Sequence, residues 1–160
     1  MREKHIEDHA DKLEKYEKLV RQYIDYWIPV LGLDNWSRID ITCSPSTKPD
    51  QDGVLGETVC LWQYLEADLI FYLGEFIKND PDDERIEYII LHELCHVIVN
   101  EMNPYPQDSE ERSIYRKYVV PHEERVVTQL ALSFMRSRDT ATEETKKLNE
   151  KVTKKAAKKK

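Results

Sequence analysis

Between residues 86 and 99 the chain reads IEYIILHELCHVIV, apolar around nearly the whole circumference of a helix yet carrying His92, Glu93 and His96. A helix of that kind belongs inside a protein. There, two imidazoles and a carboxylate are costly unless they meet partners. Residues four apart fall about 40° apart on one helix face, so His92 and His96 aim at a common point. Glu93 falls about 100° round from His92, outside direct ligation but beside whatever the two histidines hold. This is the HExxH pattern, in which two imidazole nitrogens bind zinc and the glutamate takes a proton from a water.

The flanking sequence frames that helix. Residues 79–85 (NDPDDER) carry cap residues Asn79 and Asp80, Pro81 for a first turn, and acids that suit the helix dipole; Asn103 and Pro104 supply a stop. Upstream, residues 6–28 repeat apolar side chains at helical spacing, from Ile6 and Leu13 to Trp27 and Ile28, before Pro29 and Gly32. Residues 37–44 alternate, with Ile39, Ile41 and Cys43 on one side, as a half-buried strand does. The runs ETVCLWQYL and ADLIFYL predict two more strands, broken near Glu66, with Gly74 ending the second. A last helix is expected over PHEERVVTQLALSFMRSR, with Pro121 in its first turn. The expected class is α+β: an N-terminal helix, a small three-stranded sheet, the buried HExxH helix, and a C-terminal helix.

Two histidines leave zinc short of a ligand. The longer form of the motif needs Gly and His where the chain has Val99 and Met102, and Glu101 lies about 180° from His92. His5 and His9 sit in a charged N-terminal stretch that reads as solvated. The helix after Pro121 is the better source. With Val126 set at 0°, the apolar positions Val126, Val127, Leu130, Ala131 and Phe134 centre near about 70°, Glu123 falls at about 60° and Glu124 at about 160°. Glu123 is therefore the expected third ligand. Two alternatives stand beside it: that Glu123 only complements the helix dipole, and that Glu124 is the ligand.

Bulk properties narrow the function. The 160 residues suit one domain, and no stretch approaches the about 20 apolar residues of a membrane-spanning helix. The charged N-terminus lacks the apolar core of a secretory signal, and Cys43, Cys60 and Cys95 make no CxxC pair; both features predict a cytoplasmic protein with reduced thiols. The net charge of −7 is uneven: residues 139–160 hold eight lysines against four acids, which leaves −11 on residues 1–138. An acidic body excludes nucleic acid as a specific ligand. The division expected is one domain over 1–138 and a lysine-rich, solvated tail over 139–160.

Taken together, a helix, a small sheet, LHELCH in a helix introduced by ADLIFYL, and a later helix carrying HEERVVTQLA resemble the minimal gluzincin metallopeptidases. The resemblance covers roughly residues 36–134. Within that group the chain is similar to the zinc metallopeptidases encoded by phages and prophages, and more distantly to the ImmA/IrrE peptidases, differing from the latter in its Glu124-Arg125-Val126. The resemblance implies a zincin-like fold, zinc on two histidines and a glutamate, and hydrolysis of peptide bonds by a metal-activated water with Glu93 as general base. It also implies a peptide or protein substrate, and host cytoplasm if the chain is phage-encoded. Candidates to stabilise the oxyanion are Tyr115, Tyr118, His122 and Arg125. Cys95 is expected to pack. Two rival readings are a zinc-bound recognition module with negligible turnover and a purely structural zinc domain. An intact Glu93 weighs against both, because neither needs that residue.

Overall fold

The computed structural model describes residues 2–102, 113, 115 and 117–157. Helix α1 (Arg2–Val30) buries Tyr16, Val20, Ile24 and Trp27, a stripe at spacings of three and four that faces the core. Pro29 falls in its last turn, and Gly32, in the left-handed region at φ 70°, turns the chain away. Strand β1 (Arg38–Ser44) follows, then β2 (Gly56–Leu61) and β3 (Glu66–Tyr72).

The sheet order is β1-β3-β2. β3 is central, parallel to β1 with Leu69 opposite Ile41, and antiparallel to β2 with Leu69 opposite Thr58. Register therefore puts Ile39, Ile41 and Cys43, then Ala67, Leu69 and Phe71, then Gly56, Thr58 and Cys60 on one face. Ala67, Leu69 and Phe71 are buried there. On the opposite face Arg38 is surrounded by Asp40, Glu66 and Asp68.

Element boundaries differ from the sequence expectation in several places. β2 ends at Leu61, and Trp62–Tyr64 form a 3-10 turn, so the break lies before Glu66 and is closed by Leu65 at φ 52°. A short helix, α2 (Leu73–Asn79), follows β3 directly and was not expected. The strand ends at Tyr72, and Gly74 lies inside α2, where it lets that helix approach the loop after β1: a Cβ there would sit 2.7 Å from the Ser46 carbonyl carbon. Asn79 and Asp80 consequently belong to the end of α2, where Asp80 adopts φ 45° and its N–H bonds the Phe76 carbonyl. The N-cap of α3 (Asp83–Met102) is Asp82, whose Oδ1 accepts the Arg85 N–H at 2.8 Å. The expected stop at Asn103 and Pro104 lies outside the described residues.

Helix α3 is buried as its pattern requires, packed against α1, β2 and the last helix, α4 (Val120–Ala157). Ile90, Leu91, Leu94, Cys95 and Val97 are inaccessible. α4 does not end at Arg138. It continues through the lysine-rich segment, which has no Gly or Pro to break it, as an exposed helix with a Glu143–Lys147 pair. Among the described residues no helix is long and apolar enough to cross a membrane.

Candidate metal centre

The chemistry of α3 is concentrated where β2 and α4 meet it. Glu93 is turned toward β2, 8% exposed, and its Oε2 accepts the Thr58 hydroxyl at 2.7 Å. The same hydroxyl reaches the Glu93 main-chain carbonyl at 3.1 Å. Two residues away, Gly56 leaves room for the Glu93 side chain: a Cβ at that position would lie 2.7 Å from Glu93 Cγ and 2.9 Å from Oε1. The strand thus cradles the glutamate with a hydroxyl and a gap. Burial raises the Glu93 carboxyl above its ordinary pKa, against the Thr58 hydrogen bond and the nearby imidazoles of His96 and His92, which pull it down.

His92 and His96 lie side by side, ring centroids 4.9 Å apart and nearly perpendicular. Helix α4 brings two adjacent acids to them on different sides. Glu124 places Oε2 3.4 Å from His92 Nε2 and Oε1 3.4 Å from His96 Nε2. Glu123 instead faces Nδ1 of His96 at 3.4 Å and accepts the Tyr115 hydroxyl at 2.7 Å. A carboxylate only accepts, so this contact has His96 donate from Nδ1 and leaves its Nε2 directed at Glu124. Among the described residues His92 lacks such a partner: its Nδ1 is buried without a hydrogen bond, and its ring is held by packing against Tyr88, 5.9 Å away, and His96.

Burial tends to lower the His96 pKa, but the Glu123 hydrogen bond and the carboxylates of Glu93 and Glu124 outweigh it and the net direction is up. Glu124 is held below the ordinary carboxylate range, first by His92. Glu123 is also lowered, its burial overcome by His96 and Tyr115.

Here the third position is corrected. His92, His96 and Glu124 offer one atom each within 4.8 Å of one another, a group that can hold a metal ion; Glu123, expected in that place, orients His96 from behind. Val126 is 44% exposed, while Val127, Ala131 and Met135 are buried and Leu130 and Phe134 pack against the core, a face centred near about 110°, between Glu123 at about 60° and Glu124 at about 160°. The two acids flank that face: the Glu123 side chain is 10% exposed against His96, and the Glu124 side chain is 51% exposed beside both histidines.

The spacing fits an ion. Ligand bonds of about 2.0–2.1 Å at a tetrahedral angle hold donor atoms about 3.3 Å apart. Both Nε2 to carboxylate distances are 3.4 Å. Either a cation shared between them or a proton on the imidazole nitrogen satisfies nitrogen and carboxylate atoms facing one another at that range.

These groups line a cleft of about 530 Å³ between α3, β2 and the start of α4. Of the expected oxyanion donors only Tyr115 lines it, with its hydroxyl on Glu123; Tyr118, His122 and Arg125 are exposed elsewhere. Sequence reasoning missed Gly56 and Thr58, since nothing in a strand's alternation says which of its residues meets a glutamate on a later helix. Cys95 is inaccessible and its thiol is pushed up to about 12 by burial, which suits packing and not ligation. Comparison with protein family models, with characterised proteins and with solved structures returns no match. What the site does must be argued from its own geometry.

Proposed function

We propose that the chain is a zinc-dependent metallopeptidase of the minimal gluzincin kind, with a zincin-like fold and a resemblance to phage and prophage enzymes. The observation that carries this reading is the division of labour on α3. Two Nε2 atoms converge with a Glu124 carboxylate at 3.4 Å each, while Glu93, one residue after His92, is held apart on Thr58. Two imidazoles and one carboxylate are a donor set that zinc favours, with one position left open. When bound, zinc supplies Lewis acidity toward a carbonyl and lowers the pKa of water toward about 7.

The protein's residues do the rest. His92, His96 and Glu124 hold the ion, and Glu123 fixes the tautomer of His96 through Nδ1. Thr58 donates to Glu93 Oε2, which leaves Oε1 free of that hydroxyl to take the proton of an attacking water. The same carboxyl then delivers the proton to the leaving amine. A buried glutamate with a raised pKa is suited to both transfers. The cleft is in the size range of sites that enclose a short peptide segment.

The test is metal content together with one variant. Purified protein should contain about one zinc per chain, and His92→Ala or His96→Ala should lose it. Glu93→Gln should fold, keep its zinc and hydrolyse peptides roughly 10²-fold or more slowly, judged by mass spectrometry of a digested peptide mixture. Equal cleavage by both proteins would remove Glu93 from the mechanism. Zinc retention without any cleavage by wild type would favour a recognition module on the same scaffold.

A further inference from the structure

The charged side chains along the cleft are, with one exception, committed to partners inside the protein. Lys48 Nζ lies 2.8 Å from Glu57 Oε2, which also accepts the Tyr72 hydroxyl. Glu93 is on Thr58, Glu123 on His96 and Tyr115, and Glu124 between the two histidines. The exception is Arg85. Arg85 is exposed and lines both the cleft and the neighbouring hollow beside Leu132 and Met135; its guanidinium meets no carboxylate among the described residues and lies over the ring of Tyr88 at 4.9 Å. Tyr88 in turn packs on His92. The cation is therefore placed by a ladder of stacked rings and not left to an unconstrained surface rotamer.

Its position is set by the helix. Seven residues separate Arg85 from His92, about 10 Å along the axis, which about three residues of extended peptide span. At the opposite end of the cleft wall, one turn beyond His96, the Asn100 amide oxygen is buried with no partner among the described residues. That group is an acceptor and requires a donor. Arg85 and Asn100 thus differ in kind: a cation at one end and an acceptor at the other, with the catalytic groups, among them the unpartnered His92 Nδ1, between them.

We propose that Arg85 is a specificity determinant, and that the peptides this cleft takes carry a carboxylate about three residues from the bond cleaved. The assignment rests on the peptidase reading for its reaction but on the unpaired guanidinium for its chemistry. A carboxylate on Arg85 gains a charge-assisted, bidentate hydrogen bond that the neutral amide of Gln or Asn does not match. The carboxylate comes from an Asp or Glu side chain or from a peptide's C-terminus, and amidated and free-acid peptides separate the two.

The test uses the full chain loaded with zinc and a library of twelve-residue peptides, half of them C-terminally amidated, with cleavage sites read by mass spectrometry. Wild type should prefer Glu or Asp over Gln or Asn by about 10-fold or more at one position near three residues from the cleaved bond. Arg85→Gln should erase that preference with zinc content unchanged, and Arg85→Glu should turn it toward Lys and Arg. A preference confined to free-acid peptides assigns the C-terminal carboxylate. Identical profiles for wild type and Arg85→Gln, or no acidic preference in wild type, overturn the proposal.

A second measurement is independent of turnover: capture of paired Glu and Gln versions of the same peptides on immobilised, zinc-loaded Glu93→Gln protein. Enrichment of the Glu versions by about 10-fold, lost when Arg85→Gln is added, upholds the assignment even if wild type cleaves nothing and the peptidase reading falls. Equal capture overturns it.

Discussion

A methyl group on Gly56 would occupy the space of the Glu93 side chain, 2.7 Å from Cγ and 2.9 Å from Oε1. Strand β2 is tied to β3 by its ladder and cannot easily yield, so Gly56→Ala should displace the glutamate and break its Thr58 hydrogen bond. The metal ligands are untouched. We expect zinc content near wild type and peptide hydrolysis lower by about 10²-fold, the scale of a misplaced catalytic group. Loss of zinc together with activity would show a wider structural effect. The two acids of α4 separate in the same way. Glu124→Ala removes the carboxylate whose two oxygens face the two Nε2 atoms and should weaken zinc binding by well over 10²-fold, whereas Glu123→Ala removes only the group behind His96 and should weaken it by about 10-fold. Competition against a zinc chelator ranks them, and the reverse order would return the third position to Glu123.

At the scale of elements, what could be read from the sequence depended on whether an element's own residues carry its environment. α3 was legible because its burial is written all round it, and β1 because Ile39, Ile41 and Cys43 alternate with charges. α4 was legible as a helix but not in its rotation, because exposed Val126 mimics a core position by composition alone. Asp82 as the cap, and α2 before it, were hidden because one run of polar residues ends one helix and starts the next. Another link between elements was equally invisible. The Glu87 carboxylate on α3, buried, accepts the Trp27 Nε1–H of α1 at 3.0 Å and the Arg138 guanidinium of α4. Arg138→Ala would leave that carboxylate with Trp27 and no cation. It should cost about 3 kcal/mol of folding stability, seen as a lower urea midpoint with an unchanged slope. Glu87→Gln with Arg138→Ala should recover part of the loss, since the buried charge goes with its partner.

For the whole molecule, the groups that bind α1, α2, α3 and the sheet together also set a limit at high pH. Tyr16, in the α1 stripe, donates to Asp80 at 2.7 Å and is pushed up to about 12, first by burial and then by that hydrogen bond. Tyr23 is pushed up to about 12 by burial and by Asp83. Cys95, within α3, reaches about 12 through burial, and Cys60 on β2 reaches about 12 through burial and the charge of Glu123. All four are neutral when protonated, so a folded pKa above the unfolded one means that the native state holds these protons more tightly. Their contribution is fully present below the unfolded values, about 8.5 for cysteine and about 10 for tyrosine, and is lost as pH rises through about 12. The folded protein should therefore hold a stability plateau through neutral pH and lose stability steadily between about pH 9 and 12. Urea midpoints measured across that range check it, and Tyr16→Phe distinguishes the cause. That variant keeps the ring packed beside Phe76 but has no hydroxyl to ionise, so its decline should be shallower than that of wild type above about pH 10, while an unchanged slope would assign the alkaline loss to other groups.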